Sequence, residues 1–241
     1  MGKIGDNVQM RRVSRSITFT VVAAFSLSLF AVSPASAEKR AKNGKKVSQI
    51  NKVQSICKPT KAVGHKPMKL PVPEVKRPYV NRTFTLITNC GEIKIQADGV
   101  SAPLTVISMS YLANKGFFNK SPCHRLTTRG IFVLQCGDPS GTGSGGPAYT
   151  APDENLPRGI GNIYPAGSVA MANSGPGTNG SQFFIVYDDN SRLGPNYTLW
   201  GRVVKGLDIV KAVAARGSNN SNGPGDGAPN QPIAIEKAVA R

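Results

Sequence analysis

The stretch VAMANSGPGTNGSQFFIVY, from Val169 to Tyr187, decides how the chain is read. Two short apolar runs, Ser168 to Ala172 and Gln182 to Tyr187, flank a loop that carries Gly175, Pro176, Gly177, Asn179 and Gly180. Runs of this length, bounded by Gly, Pro and Asn, predict strands rather than helices. Gly175 to Gly180 also satisfies G-x-G-x-x-G, as does Gly141 to Gly146, but the first enters a strand and the second runs into Pro147. A dinucleotide site needs a helix N-terminus after the turn to hold the pyrophosphate, so nucleotide binding is excluded. The chain has no G-x-x-x-x-G-K-[ST], and no Ser-centred elbow with a triad histidine in reach.

Outward from this stretch the same texture continues. Thr83 to Thr88 and Glu92 to Ala97 alternate in polarity and are joined by Asn89-Cys90-Gly91, which predicts a hairpin. Ser101-Ala102-Pro103 opens a helix that stops at Gly116, and a second helix fits Leu207 to Ala215 between Gly206 and Gly217. Further strands are predicted at Cys123 to Thr127, Ile131 to Gln135, Trp200 to Val204 and Ile233 to Val239. The expected fold is mainly β: eight antiparallel strands closed into a barrel, which hides both edges, with two helices capping its ends.

Composition narrows the function. The chain has 241 residues and a net charge of +17, with 39% hydrophobic residues and 2 His. After the N-terminus it has no second long apolar block, which excludes a polytopic membrane protein. His65 and His124 cannot build a His-rich metal centre, and the cysteines lie too far apart for paired CxxC knuckles, so neither metal nor cofactor is expected.

The charge is concentrated: +3 over residues 1–37, +10 over 38–80 and +4 over 81–241. The first segment reads as a secretory signal peptide, with a basic stretch from Arg11 to Arg15, an apolar run from Ile17 to Val32, and Ala35-Ser36-Ala37 as the cleavage pattern. Met10 is an alternative start. A retained anchor is the competing reading, but the apolar run is short and interrupted by Thr18, Thr20, Ser26 and Ser28. Residues 38–80 read as a basic Lys/Pro-rich linker, extended and partly disordered, and residues 81–241 as the folded domain. The linker is a solvated spacer or a polybasic tether to anionic envelope surfaces. The chain is therefore expected to be exported, extracellular or envelope-associated after cleavage near Ala37, and monomeric. Nucleic acid is not an expected partner, because the basic segment lacks interleaved aromatics. Export makes disulfides plausible among Cys57, Cys90, Cys123 and Cys136, with three full pairings open. Cys123 and Cys136 could face one another across a hairpin, leaving Cys57 and Cys90 to tie the tail to the barrel; buried free thiols are the alternative.

Polar side chains recur beside apolar ones on successive predicted strands: His124-Arg125-Leu126, Phe132-Val133-Leu134-Gln135, Met171-Ala172-Asn173 and Gln182-Phe183-Phe184. Singly, each has an ordinary reading as a surface ion-pair member or a core residue. Together, CHRLTTRGIFVLQCGDP (Cys123 to Pro139), the Val169 to Tyr187 stretch and WGRVVKGLDIVKAV (Trp200 to Val213) resemble the cyclophilin family of peptidyl-prolyl cis-trans isomerases. The resemblance covers essentially all of residues 81–241 and implies a cyclophilin-like barrel that acts on Pro-containing peptides and unfolded exported proteins. It implies that Arg125 is catalytic and that Phe132, Phe184 and Leu193 form the proline pocket, with Val133 where the family usually has Met. Gln135, Ala172 and Asn173 would hold the peptide backbone, and Gln182 would support the arginine. His124 is expected to be a hydrogen-bonded structural residue, since rotation about an amide transfers no proton. Two departures stand out. Arg192 and Tyr197 occupy the rim where many members carry Trp and His, and the Trp position is the one cyclosporin-type inhibitors use; two extra residues also lie between Arg125 and Gln135. A binding module or holdase that grips Pro segments with little turnover is the alternative function.

Overall fold

Alternation sets the first hairpin. Arg82–Thr88 (β1) and Gly91–Ala97 (β2) bury Phe84, Leu86, Ile93, Ile95 and Ala97 on one face, and pair antiparallel from Arg82↔Ala97 to Thr88↔Gly91. The structure, a computed structural model, describes residues 57–189 and 191–241. The expected signal segment and residues 38–56 of the basic stretch lie outside the described residues.

The remaining strands are Ser121–Pro122 (β3), Arg125–Thr127 (β4), Val133–Cys136 (β5), Ser168–Met171 (β6), Phe183–Val186 (β7), Leu199–Lys205 (β8), Asp226–Gly227 (β9) and Ala234–Ala240 (β10). They form one antiparallel sheet in the order β3-β10-β1-β2-β8-β6-β7-β5-β4-β9. The expected closed eight-stranded barrel is corrected on two counts: the sheet has ten strands, and among the described residues no ladder joins β3 to β9. Both extra strands are two residues long and sit in Pro- and Gly-rich sequence, where no alternation marks them. The sheet still curls strongly. Register shifts at Ile87/Thr88, Lys94/Ile95 and Val169/Ala170 bend it, and the Cys123 N–H, which donates to the Ile233 carbonyl at 2.9 Å, extends the β3–β10 pairing by one residue.

Inside the curl, Phe84, Phe183 and Trp200 meet edge-to-face, with Phe118 against both phenylalanines. Helix α1, Pro103–Asn114, adds Val106, Met109 and Leu112 to the same core, and α2, Leu207–Ala214, adds Val210 and Val213. Each such side chain contributes about 1.5–3 kcal/mol by leaving water. Ala102 offers α1 no side-chain cap. Glu154 supplies one from a distant loop, accepting the Leu104 N–H at 3.0 Å, the Thr105 N–H at 2.7 Å and the Thr105 hydroxyl at 2.8 Å. A carboxylate suits the positive end of the helix. At the other end Gly116, with φ of +75°, closes a Schellman turn in which its N–H reaches Ala113 and that of Phe117 reaches Leu112.

Residues 57–80 form no helix or strand, in keeping with their alternating Lys and Pro. They are nevertheless fastened to the sheet. Cys57 is disulfide-bonded to Cys90 in the β1–β2 turn, the Lys58 N–H donates to Asn89, and the Thr60 hydroxyl donates to Glu236 at 2.6 Å. Met68 and Leu70 pack against the core. The second disulfide joins Cys123 and Cys136.

Candidate active site

The ladders align two rows of residues across β4, β5, β7 and β6. Leu126, Leu134, Ile185 and Val169 are register partners in turn, and all are fully buried in the core. One residue along, Arg125, Gln135, Phe184 and Ala170 are partners in the same way. Because successive side chains of a strand point to opposite faces, this second row lies on the outside of the curl. The period of two that fills the core thus also sets the arginine beside the glutamine and the phenylalanine.

Arg125 is half-buried and held from one side. Its Nε donates to Asp226 Oδ1 at 2.8 Å and its Nη2 to Asp226 Oδ2 at 2.6 Å, a bidentate pair from the two-residue strand β9. The hydrogen bonds from Arg125 hold the Asp226 carboxyl below the usual carboxylate range against the opposing pull of burial, and the same pair raises the guanidinium. Nη1, on the other side of the fork, donates to Gln135 Oε1 at 3.3 Å. Gln135 Nε2 donates to Gln182 Oε1 at 2.9 Å, and Gln182 Nε2 donates to the carbonyls of Gly143 and Gly145 at 2.9 and 3.0 Å. These carbonyls fix which way the Gln182 amide faces, and so which way Gln135 faces.

The loop that supplies them is folded around one carboxylate. Asp138 is fully buried and accepts the N–H groups of Ser140, Gly143 and Gly145 at 2.7, 2.7 and 3.0 Å, plus the Ser140 hydroxyl at 2.6 Å. Burial pushes its pKa up, but these donors outweigh it and the carboxyl is held below its ordinary value. A cleft of about 380 Å³ lies beside the loop, lined among others by Gln135, Gly145, Pro147, Ala172, Asn173 and Gln182.

Val133, Phe184, Leu193 and Tyr197 share an apolar cluster with Tyr164 and Ala170. The Phe184 and Tyr197 rings meet edge-on at 5.2 Å. Phe132 is set apart from them: it packs edge-on against Tyr187 at 6.0 Å, at the margin of the main core. Ala172 donates its N–H to the Gln182 carbonyl, and Asn173 directs its amide to the Asn196 carbonyl at 2.9 Å, tying the β6 end to the rim loop. The same loop is fastened by the Tyr164 hydroxyl, which donates to the Tyr197 carbonyl at 2.8 Å and accepts the Tyr197 N–H at 3.0 Å. Arg192 is exposed at the lip, with its N–H on the Gly130 carbonyl.

His124 departs from expectation. Both ring nitrogens are buried and outside hydrogen-bond geometry. Burial pushes its pKa down, opposed by Asp138 and Gln182 and reinforced by Arg125, so the ring stays neutral near pH 7.

Sequence reasoning missed Asp226, Asp138 and Tyr164. Asp226 had a faint signal, being the sole acidic residue in the Gly- and Asn-rich stretch from Gly217 to Gln231. Tyr164 had none, because its partner is a backbone 33 residues away. Among the described residues no group of three or more His, Cys, Asp or Glu could hold a metal ion.

A curled antiparallel sheet that displays a fixed arginine and two linked glutamines beside an aromatic recess defines the cyclophilin class of protein. The chain belongs to that family: residues 83–240 match the model of the cyclophilin type peptidyl-prolyl cis-trans isomerases. It is 41% identical over 195 residues to the "Probable peptidyl-prolyl cis-trans isomerase B" of Mycobacterium tuberculosis (strain ATCC 25618 / H37Rv), covering 75% of this chain and 61% of the relative. It thus spans about three-fifths of that relative's length. It is 37% identical over 140 residues to peptidyl-prolyl cis-trans isomerase B of Bacillus subtilis (strain 168), covering 58% of this chain and 90% of the relative. The crystal structure of a Cryptosporidium parvum cyclophilin type peptidyl-prolyl cis-trans isomerase superposes with a TM-score of 0.57 at 27% identity, over 67% of this chain and 98% of that one.

Proposed function

We propose that the chain is a peptidyl-prolyl cis-trans isomerase in which Arg125 stabilises the twisted amide while Phe184, Leu193, Tyr197 and Val133 hold the proline ring. The observation that carries this reading is the fixed row Arg125–Gln135–Gln182 beside that apolar cluster. The barrier to rotation, about 18–20 kcal/mol, comes from sharing the nitrogen lone pair with the carbonyl, and unassisted exchange takes on the order of tens to hundreds of seconds. A guanidinium that is always charged and held in one orientation favours the pyramidal prolyl nitrogen as resonance is lost. Asp226 occupies Nε and Nη2, which leaves the Gln135 side of the fork to face the peptide. The chemistry uses no covalent intermediate and no proton transfer, consistent with a neutral His124.

The clients proposed are unfolded proteins outside the cytoplasm, and the protein acts there as a monomer. Pairing of all four cysteines in disulfides supports an oxidising compartment, as does the signal-like N-terminus. The basic stretch from residue 38 contributes electrostatic contact with the anionic envelope.

The test is cis-trans exchange of an Ala-Pro peptide with the full chain, wild type against Arg125→Ala, by protease-coupled assay and by NMR exchange. Strong acceleration that largely disappears in the variant is the expected result. A folded wild type that binds the peptide without accelerating exchange would overturn the enzyme reading and leave a Pro-binding holdase.

A further inference from the structure

The segment from Cys57 to Leu70 lies outside the residues matched by the family model, yet it touches the loop on which the active site depends. Gly64 has a φ of +96° and lies so close to Ser140 that a Cβ placed there would overlap the Ser140 carbonyl oxygen. The next residue, His65, donates its backbone N–H to the Pro139 carbonyl at 2.7 Å. Its ring reaches the Asn119 carbonyl at 2.9 Å. The far end of the segment is held covalently by Cys57–Cys90, and Ala62 between them is buried. A basic tail used only as a spacer needs none of these contacts.

We infer that this strap is a working part of the site, with Gly64 and His65 positioning the 138–146 loop and, through it, Gln182 and Arg125. The contact falls on Pro139 and Ser140, directly after the buried Asp138 carboxylate that gathers the Ser140, Gly143 and Gly145 N–H groups. The carbonyls of Gly143 and Gly145 are the ones that hold Gln182 Nε2, and Gln182 in turn orients Gln135 against Arg125. Every link in this series is a hydrogen bond or a backbone packing contact. A shift at Ser140 therefore has a defined route to the guanidinium. Gly64 and His65 touch neither substrate nor Arg125; they are positioning residues, and the inference rests on the isomerase reading above.

The test uses the full chain and Gly64→Val, whose side chain cannot coexist with the Ser140 contact, alongside the exposed control Val63→Ala. Readouts are steady-state kcat and KM on an Ala-Pro peptide, hydrogen exchange at the His65 amide, and NMR shifts of the Gly143 and Gly145 backbone amides and the Gln182 side-chain amide. Gly64→Val is expected to lose protection at His65, to shift those three amides, and to lower kcat by about threefold to tenfold with KM nearly unchanged, because misplacement of groups that act in the transition state falls on kcat. Val63→Ala is expected to match wild type. A kcat within twofold of wild type after protection at His65 is lost would overturn the inference, and so would unchanged protection at His65. If Gly64→Val does not fold, the Cys57→Ala/Cys90→Ala double variant is judged by the same criteria. A wild type with no turnover would sink the isomerase reading instead, while the amide shifts would still decide whether the strap sets the loop.

Discussion

Asp226 lies in the sequence Gly225-Asp226-Gly227, a turn-like setting, and the structure gives it the Nε and Nη2 side of the Arg125 fork. Removing the carboxylate leaves the guanidinium charged but free to swing. Asp226→Ala is expected to lower kcat/KM about tenfold, less than Arg125→Ala, with peptide affinity little changed; NMR exchange measures the first and titration the second. Arg125→Lys is expected to behave almost like Arg125→Ala, since an ammonium cannot meet Asp226 and Gln135 together. Arg125 was legible as a candidate because His124-Arg125-Leu126 falls in an ordered set with three other strand segments that together resemble the family. Its partner was not, because a lone Asp among Gly and Asn is typical of any turn. The titration of these groups has a definite sign. His124, Asp138 and Asp226 all have folded pKa values below their ordinary ones of 6.5, 3.8 and 3.8. Each therefore adds stability above its ordinary value, which is lost as pH falls through the lower folded value. Thermal unfolding between pH 8 and 2 should show a gentle loss starting below about 6.5 and a steeper one below about 4. A melting temperature that rises on acidification would contradict these assignments.

At the level of elements, eight strands and both helices were legible because alternation and helix punctuation are local properties of the chain. The two-residue strands β3 and β9 were not, since they exist only through what they pair with: Ser121 with Ile235, and Asp226 with Thr127. The expectation of a closed barrel failed for the same reason. Strand count can be read from sequence, whereas closure depends on where the last ladder ends. Helix α1 shows a similar split: Pro103 and Gly116 mark its ends, but the acceptor for its first N–H groups comes from Glu154, some 50 residues on. Glu154→Ala is expected to cost about 1 kcal/mol and to lower the melting temperature by about 2–4 °C. Isomerase activity below the transition should be preserved, as Glu154 contacts none of the site residues described.

For the molecule as a whole, the two disulfides close loops of sequence separation 33 and 13. Loop-closure entropy assigns them about 3–4 kcal/mol each. Denaturant titration of the reduced and alkylated chain should therefore show a loss larger than any single substitution named above, and coincident oxidised and reduced curves would contradict the pairing. At high pH, Tyr164 and Tyr187, both raised by burial to about 12, remain neutral in the folded state while the unfolded chain ionises near 10. The stability they supply is complete below pH 10 and disappears as pH rises through about 12.

Because Leu126, Leu134, Ile185 and Val169 fill the interior, Arg125 and its neighbours lie on the outer skin of the sheet, as on an open bench rather than inside a chamber. A polypeptide can be laid across such a bench with chain running off both sides, so neither a free terminus nor a threading step is needed. For the isomerase proposed above, prolines in the middle of long segments, and those on protruding loops of proteins already largely folded, are then expected to be as reachable as prolines in short peptides.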